Sequence, residues 1–273
     1  MITIENKNFN MDQICNSGQC FRMNRAGTYR YEVIAGNHYL ELEQEENICK
    51  FNCSQQEFKD IWSPYFDLER NYGAYIESID SADEYLTTVA AFGSGIRILK
   101  QDLWEMIVSF LISQQNNITR IRRCIGNICS RYGEKMTSSD GVAYDAFPTP
   151  EALAAATDEE LKACNLGYRS KYVIRTAQSI VSGEVSLEEV KRMDYKEAKA
   201  ELMKLYGVGG KVADCICLFA LQQLEAFPVD THIRQALEKY YPDGFPMERY
   251  QGYEGVLQQY IFYYDLFREK ELV

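Results

Sequence analysis

A glycine-rich turn between two helical stretches most constrains how this chain folds. Three glycines fall within the four positions 207–210, and Lys211 follows them directly. Because glycine has no Cβ atom and reaches left-handed backbone conformations easily, Gly207, Gly209 and Gly210 allow a very tight turn after the end of a helix. A new helix begins near Lys211, and its free amides, together with the glycine backbone, predict a cradle for a phosphate group.

This turn has two other interpretations. An ordinary connection between two antiparallel helices would contain similar glycines. The sequence Gly-Val-Gly-Gly-Lys is also similar to half of a nucleotide-binding phosphate loop. Such a loop requires a preceding strand and the spacing Gly-x-x-x-x-Gly-Lys-Ser/Thr, and the sequence indicates neither. A nucleotide-binding enzyme, which would bind ATP, is therefore only a remote alternative.

Lys211 is unusually placed for a structural lysine. A cation at a helix N-terminus faces the positive end of the helix dipole. This field, together with partial burial, predicts a pKa below the ordinary lysine value. A neutral amine is the form that attacks a sugar carbon, so Lys211 is a candidate nucleophile. The alternative is a solvated lysine on the surface.

A carboxylate and a histidine follow at the start of the next predicted helix. Asp230 is placed to cap that helix through its side chain. A carboxylate held by helix amides stays ionised, and near a scissile glycosidic bond it would stabilise the positive charge that develops on the sugar. His232 is expected to face either a phosphate or the protein core, and it is one of only two histidines in the chain.

The fold class predicted from these patterns is α+β. Apolar and polar residues alternate over 28–33 and 39–43, and 48–51 adds a third strand, which predicts a small antiparallel β-rich N-terminal domain. From position 55 the apolar spacing becomes helical, which predicts a mostly α-helical body. We place the two domains at 1–85 and 86–273. Helices are predicted at 55–65, 83–92, 102–113, 118–132, 171–181, 195–206, 211–223, 231–240 and 250–267, and another begins at Pro150 after the cap Thr149.

Composition limits the classes of function. The net charge of −11 argues against a DNA partner, but basic residues dominate locally at 97–131 and 162–176. Phosphate contacts are local, so these segments are compatible with DNA, although solvated helix faces would also explain them. The nine cysteines include no Cys-x-x-Cys, which indicates reduced thiols rather than a zinc site or a disulfide framework. We expect no signal peptide, no membrane span and, if the source is bacterial, a cytoplasmic, nucleoid-associated monomer.

Four further segments accompany the glycine turn and Asp230. Their sequences are Ser-Gly-Gln-Cys-Phe-Arg at 17–22, Gln-Asn-Asn-Ile-Thr-Arg at 115–120, Leu-Gly-Tyr-Arg-Ser-Lys-Tyr at 166–172 and Gly-Val-Leu-Gln-Gln-Tyr-Ile-Phe at 255–262. In this order, the chain resembles the helix-hairpin-helix (HhH-GPD) DNA glycosylase superfamily. The resemblance is closest to 8-oxoguanine DNA glycosylase/AP lyase and covers most of the chain. Lys211 and Asp230 match the two catalytic positions of that family.

The resemblance implies a pocket for a base flipped out of the duplex. Guanine has an acceptor at N7, whereas 8-oxoguanine has a hydrogen there. A fixed carbonyl at that point would bind the lesion and repel guanine, and the family uses a glycine that matches Gly18. The family places the base between positions matching Cys215 and Phe262, and a glutamine matching Gln258 recognises its Watson–Crick edge. Core packing is the alternative role of Cys215 and Phe262.

The resemblance also implies contacts to the opposite strand and to the DNA backbone. The residues that match DNA-binding positions are Gln115, Asn116, Arg120, Tyr168, Arg169, Gly207, Gly209, Gly210 and His232. Vertebrate-type members have an asparagine at the position of Gln115, so the hole left by the flipped base is expected to be filled differently here. Arg120 and Arg169 are both present, which favours a preference for cytosine opposite the lesion.

The expected function is therefore a bifunctional DNA glycosylase/AP lyase of base excision repair. It binds double-stranded DNA containing oxidised guanine, flips the base, attacks C1′ with Lys211 and cleaves the strand by β-elimination. No cofactor is expected, although hairpin carbonyls are compatible with a structural cation. Two alternatives remain open: a related glycosylase for another damaged base, and a non-catalytic helix-hairpin-helix DNA-binding module.

Overall fold

The computed structural model describes residues 1–268, and its N-terminal part is a five-stranded antiparallel sheet in the order β1-β5-β4-β3-β2. Strands β3, β4 and β5 form the predicted antiparallel meander, and β1 pairs with the outer edge of β5. The strands are β1 (Ile2–Glu5), β2 (Met23–Arg25), β3 (Arg30–Ala35), β4 (His38–Glu45) and β5 (Ile48–Phe51).

Alternation along the strands explains why this sheet has one dry face. In β4, Leu40 and Leu42 are fully buried while their neighbours are partly or fully exposed. Phe51 pairs with Leu42 and joins the same core, which also contains Trp62 and Phe66 from the helical segment after the sheet. Strands β1 and β2 were not predicted. Strand β2 has only three residues, and β1 pairs with β5 across more than forty residues of sequence, a pairing that no local pattern indicates.

Outside this sheet, residues 1–268 are mainly helical, as predicted. The helices are α1 (Met11–Asn16), α2 (Gln55–Glu57), α3 (Ser63–Tyr65), α4 (Tyr72–Glu77), α5 (Glu84–Phe92), α6 (Leu103–Ser113), α7 (Ile118–Tyr132), α8 (Pro150–Ala154), α9 (Asp158–Ala163), α10 (Ser170–Val181), α11 (Leu187–Val190), α12 (Tyr195–Leu202), α13 (Gly210–Leu221), α14 (Thr231–Tyr240) and α15 (Glu254–Phe267). A π-helical turn (Phe58–Trp62) joins α2 to α3, and a short hairpin of β6 (Lys135–Thr137) and β7 (Ala143–Asp145) follows α7.

Capping side chains define where several of these helices begin. Thr149 caps α8, with Pro150 at its first position, as the sequence predicted. Asp102 caps α6 and Asn117 caps α7 in the same way. These caps fix the helix starts to within one residue of the predicted positions.

Helix α6 forms the centre of the helical body and packs against α13 and α7. Ten of its eleven residues are buried, including Glu105 near its first turn. Glu105 pairs with Arg22 of the sheet domain, with Oε2 3.3 Å from Nη1, and also accepts a hydrogen bond from Gly36 N at 3.1 Å. This buried pair joins the sheet to the body.

The protein has one hydrophobic core in the helical body and another under the sheet, and the segments that contribute to them alternate along the sequence. Tyr72 belongs to the core of the helical body, whereas Leu99 packs in the core under the sheet. The predicted division at 85/86 is not tested by this arrangement and stays a prediction. None of the helices within residues 1–268 is long and apolar enough to cross a membrane.

Candidate active-site cleft

The glycine turn connects α12 to α13 in a tight helix-hairpin-helix arrangement. Helix α12 ends at Leu202, four residues before the predicted end, and α13 begins at Gly210. Gly207 has φ +91°, and a Cβ atom there would lie 2.7 Å from Cγ of Tyr172, so only glycine fits. Gly209 and Gly210 have nothing within 4 Å of their Cβ positions. Their backbone is therefore open to an approaching ligand.

Lys211 lies in the first turn of α13, on the exposed wall of a cleft, with Nζ 5.8 Å from the centre of the Phe110 ring. The predicted lowering of its pKa is wrong. The Cys215 sulfur one turn later, and also the Asp230 carboxylate, raise the pKa of Lys211, while the surrounding protein opposes this by desolvation. The helix dipole alone does not decide the charge state, because two acceptors stabilise the ammonium form.

Asp230 caps α14, as predicted. Its Oδ1 accepts a hydrogen bond from Ile233 N at 2.9 Å, which fixes the carboxylate at the helix N-terminus. Lys211 and Asp230 both line a cleft of about 400 Å³ and the adjoining groove of about 760 Å³ along the hairpin. The structure therefore brings the two predicted catalytic residues together at the hairpin.

His232 also lines this cleft and does not lie in the core. Its Nδ1 is 2.7 Å from Oδ2 of Asp265 in α15, and its side chain is 44% exposed. The ring stands perpendicular to Phe262 at a centroid distance of 5.8 Å. His232 is thus oriented by a carboxylate and keeps an accessible edge. Asp265 was missed, although it follows Gln258 and Phe262 at helical spacing along one face of α15.

Of the four predicted base-binding residues, two line the cleft and two are buried. Gly18 and Phe262 line the cleft. Cys215 and Gln258 are buried beneath it, with 3% and 4% of their surfaces exposed. Gln258 Nε2 donates to Pro228 O at 3.0 Å, but its Oε1 has no hydrogen-bond partner among the described residues. An unpartnered buried carbonyl costs about 1–3 kcal/mol, which marks Oε1 as an acceptor for a ligand.

Among the residues predicted to face the opposite strand, Arg169 makes a contact that the sequence did not indicate. Arg169 is 3% exposed, and its guanidinium donates to the carbonyls of Gln114 and Gln115, with Nε 2.7 Å from Gln114 O. Gln115 lines the groove with φ +48°. In this conformation Arg169 braces the loop and does not face the groove. Tyr168 is exposed and stacks on this guanidinium at 4.5 Å.

The remaining predicted DNA-binding positions are open to solvent or line the groove. Asn116, Gly209 and Gly210 line the groove beside the hairpin. Arg120 is exposed on the first turn of α7 and forms no ion pair within residues 1–268. Sequence reasoning missed Gln114, whose Nε2 donates to Gly207 O at 3.0 Å and thereby ties the loop to the hairpin.

Two family models together account for most of the chain. The model described as 8-oxoguanine DNA glycosylase, N-terminal domain, matches residues 1–107, and the HhH-GPD superfamily base excision DNA repair protein model matches residues 108–245. The chain belongs to the HhH-GPD superfamily. The resemblance seen in the sequence is thus confirmed, and the cleft described above lies at the hairpin of this HhH-GPD protein.

Individual relatives agree with this assignment. A crystal structure of Clostridium acetobutylicum 8-oxoguanine glycosylase/lyase with dsDNA containing cytosine opposite to 8-oxoG is 38% identical, with a TM-score of 0.89 and 99% of each chain covered. The N-glycosylase/DNA lyase of Saccharomyces cerevisiae is 34% identical over 78% of this chain, and N-glycosylase/DNA lyase OGG1 of Arabidopsis thaliana is 30% identical over 82%. The chain spans 59% and 64% of the length of the last two.

Proposed function

We propose that this HhH-GPD protein excises 8-oxoguanine from double-stranded DNA and then cleaves the strand as an AP lyase. The observation that carries the proposal is the placement of Lys211 and Asp230 in one cleft beside an open glycine hairpin. A primary amine, a fixed carboxylate and free backbone amides are the three groups that this reaction requires. The relatives named for glycosylase and lyase activity support the same conclusion.

Duplex DNA would bind across the hairpin and the groove. The amides of Gly209 and Gly210 are open to a phosphate, and Arg234 lines the same groove. Arg234 in the groove and Arg120 next to the cleft residue Thr119 form no ion pair within residues 1–268, although the chain carries a net charge of −11. Unpaired cations around the cleft supply the local positive charge that an acidic protein needs for phosphate contacts. Extruding the damaged base costs a few kcal/mol, which these contacts offset.

The chemical step begins once the Lys211 ammonium group, whose pKa is raised, has lost a proton to solvent and become the neutral amine. Its Nζ forms a bond to C1′ of the flipped nucleotide while the bond from C1′ to N9 breaks, and the base leaves with the electron pair and takes up the proton that Nζ releases. Asp230 stabilises the positive charge that develops on the sugar. The bond from C1′ to the ring oxygen then breaks, the oxygen takes up a proton as a hydroxyl group, and C1′ forms a Schiff base with Nζ. Loss of a C2′ proton to solvent then expels the 3′ phosphate with the electron pair of its C3′–O bond, which is β-elimination.

Recognition of the lesion is assigned to Gly18, Gln258, Cys215 and Phe262. The Gly18 carbonyl accepts the N7–H that 8-oxoguanine has and guanine lacks. The unpartnered Oε1 of Gln258 accepts a hydrogen from the Watson–Crick edge. Because Cys215 and Gln258 are buried in the free protein, the Phe262 ring must move so that the base can enter between Cys215 and Phe262.

A preference for cytosine opposite the lesion is assigned first to Arg120, which is exposed and unpaired. A bidentate arginine contributes about 1–3 kcal/mol of discrimination between bases. Arg169 would have to release the Gln114 and Gln115 carbonyls before it could contribute. We further propose a monomer that needs no cofactor. The Gly207 carbonyl, a candidate ligand for a hairpin cation, already accepts a hydrogen bond from Gln114.

Single-turnover excision on a panel of duplexes tests this function. The panel contains 8-oxoguanine opposite each of the four bases, undamaged guanine and 3-methyladenine. We expect excision of 8-oxoguanine, fastest opposite cytosine, and a reduced cytosine preference in Arg120→Gln. Excision of 3-methyladenine without 8-oxoguanine would assign another lesion to this fold. Binding of duplex without excision of any base would indicate a non-catalytic module.

A further inference from the structure

Gly18 lies between two residues whose backbone carbonyls are held by buried glutamines. Gln259 Nε2 donates to Ser17 O at 2.5 Å, and Gln101 Nε2 donates to Gln19 O at 2.8 Å. Gln259 is 2% exposed and Gln101 is 8% exposed, so water does not compete for either bond. Both peptide groups that flank the Gly18 carbonyl are thus fixed in orientation.

The Gln19 side chain anchors this segment to the rest of the protein. Its Nε2 donates to Ser17 Oγ and to Arg97 O, both at 2.9 Å, and its Oε1 accepts from Leu99 N at 2.8 Å. Ser17 Oγ in turn donates to Ile14 O at 2.8 Å. This network uses every polar atom of the Gln19 side chain, so the segment 17–19 cannot shift as a unit.

The Gly18 carbonyl is the exception within this network. No hydrogen-bond donor in the part of the chain that the structure describes reaches it, and Gly18 lines the cleft with φ +74°. A glycine backbone rotates more freely than any other, so the peptide between Gly18 and Gln19 could turn its carbonyl away from the cleft. Fixing the peptides on both sides prevents that rotation, because the two neighbouring groups would have to move with it.

We propose that Gln259 is a positioning residue for lesion recognition, and that it acts by holding the Ser17 carbonyl so that the Gly18 carbonyl stays directed at the damaged base. This inference rests on the proposed function. Gln259 is adjacent to Gln258 in α15, so one helix places both the amide that recognises the Watson–Crick edge and the amide that fixes the carbonyl recognising N7–H. Gln101 plays the same part on the other side of Gly18.

The test compares two rates in Gln259→Met, which keeps the length of the side chain and removes its donor. The first rate is single-turnover excision of 8-oxoguanine, which requires the Gly18 carbonyl. The second is strand cleavage at a preformed abasic site, where no base occupies the pocket. We expect the ratio of the first rate to the second to fall roughly tenfold, the factor that a single buried hydrogen bond typically contributes.

Gln44→Met is the matched control. Gln44 is buried as well, with the same exposure of 8% as Gln101, and its Nε2 donates to Phe9 O at 2.7 Å, but it lies at the core under the sheet. We expect it to lower the unfolding temperature and leave the ratio of the two rates unchanged. All rates are measured well below the unfolding temperature of each variant. Gln101→Met provides a second, independent variant and is expected to lower the same ratio.

The outcomes separate the inference from the proposed function. A ratio that falls in Gln259→Met and Gln101→Met but not in Gln44→Met supports the positioning role. A ratio equal to that of the wild type in both variants overturns it, and active wild-type protein then leaves the proposed function intact. Wild-type protein that cleaves abasic sites but does not excise 8-oxoguanine overturns both the assigned lesion and the positioning role.

Discussion

The Phe262 ring lies directly against Gly18, with Cε1 3.0 Å from the position that a Cβ atom on Gly18 would occupy. Gly18 also adopts φ +74°, a left-handed conformation that residues with side chains rarely adopt. These two constraints leave room for glycine only. The proposed base-binding side of the cleft therefore depends on a residue without a side chain.

Replacing Gly18 with alanine is expected to slow excision of 8-oxoguanine by roughly a hundredfold, because the new methyl group both strains the backbone and displaces Phe262. Cleavage at a preformed abasic site should fall far less. Gly36→Ala is the control, since Gly36 also has a positive φ but has nothing within 4 Å of its Cβ position. Equal losses in both assays for Gly18→Ala would show that the substitution disturbs the whole fold rather than the base pocket.

Asp230→Asn should separate the capping role of this residue from its electrostatic role. Asparagine caps helices about as well as aspartate, so the free energy of unfolding should change by less than about 1 kcal/mol. Excision should fall by roughly 10²–10³, because the positive charge on the sugar loses its partner. Asp194→Asn makes the same change at the cap of α12 and should leave excision unaffected. An Asp230→Asn variant with wild-type excision would remove Asp230 from the mechanism.

The positions of the two candidate catalytic residues could be predicted because both lie next to strong local signals. The glycine turn marked the position of Lys211, and the start of α14 marked Asp230 as its cap. Both signals depend on neighbours in sequence. The sheet was predicted only where successive strands follow one another through short turns. Strand β1 pairs with the distant β5 and β2 has only three residues, so both were missed.

Other parts of the site depend on contacts between distant residues. The charge state of Lys211 follows from Cys215 and Asp230 acting together, which only the folded cleft reveals. Arg169 matched a DNA-binding position, but its contact with the Gln114 and Gln115 carbonyls spans more than fifty residues. The bond from Gln259 to Ser17 spans nearly the whole chain. No local pattern contains such information.

Lyase activity at a preformed abasic site should rise with pH. The Cys215 sulfur and the Asp230 carboxylate raise the pKa of Lys211, so the ammonium form dominates at neutral pH and the reactive amine increases about tenfold per pH unit below that pKa. Cys215→Ala removes the first of these influences and should move the rate profile to lower pH. An abasic substrate avoids the separate effect of Cys215 on base binding. A profile that is unchanged in Cys215→Ala would show that the sulfur does not set the charge of Lys211.

The buried Glu105 should make stability depend on pH. Burial raises the pKa of Glu105 to about 7, even though the Arg22 guanidinium opposes this shift. A raised carboxyl pKa favours the folded state at low pH, and this contribution is lost as pH rises through about 7. Relative to Glu105→Gln, the wild type should lose about 2–3 kcal/mol of unfolding free energy between pH 5 and pH 8. Parallel curves for the two proteins, measured by urea unfolding, would contradict a raised pKa.

We propose above all that Lys211 forms a covalent bond to C1′. Borohydride reduction during the reaction on duplex containing 8-oxoguanine opposite cytosine tests it most directly, because it converts the Schiff base to a stable amine. We predict a protein–DNA complex in the wild type and in Lys196→Gln, which changes an exposed lysine of α12. We predict none in Lys211→Gln, although that variant still binds the duplex. A complex that persists in Lys211→Gln would contradict the account, because the nucleophile would then be another amine.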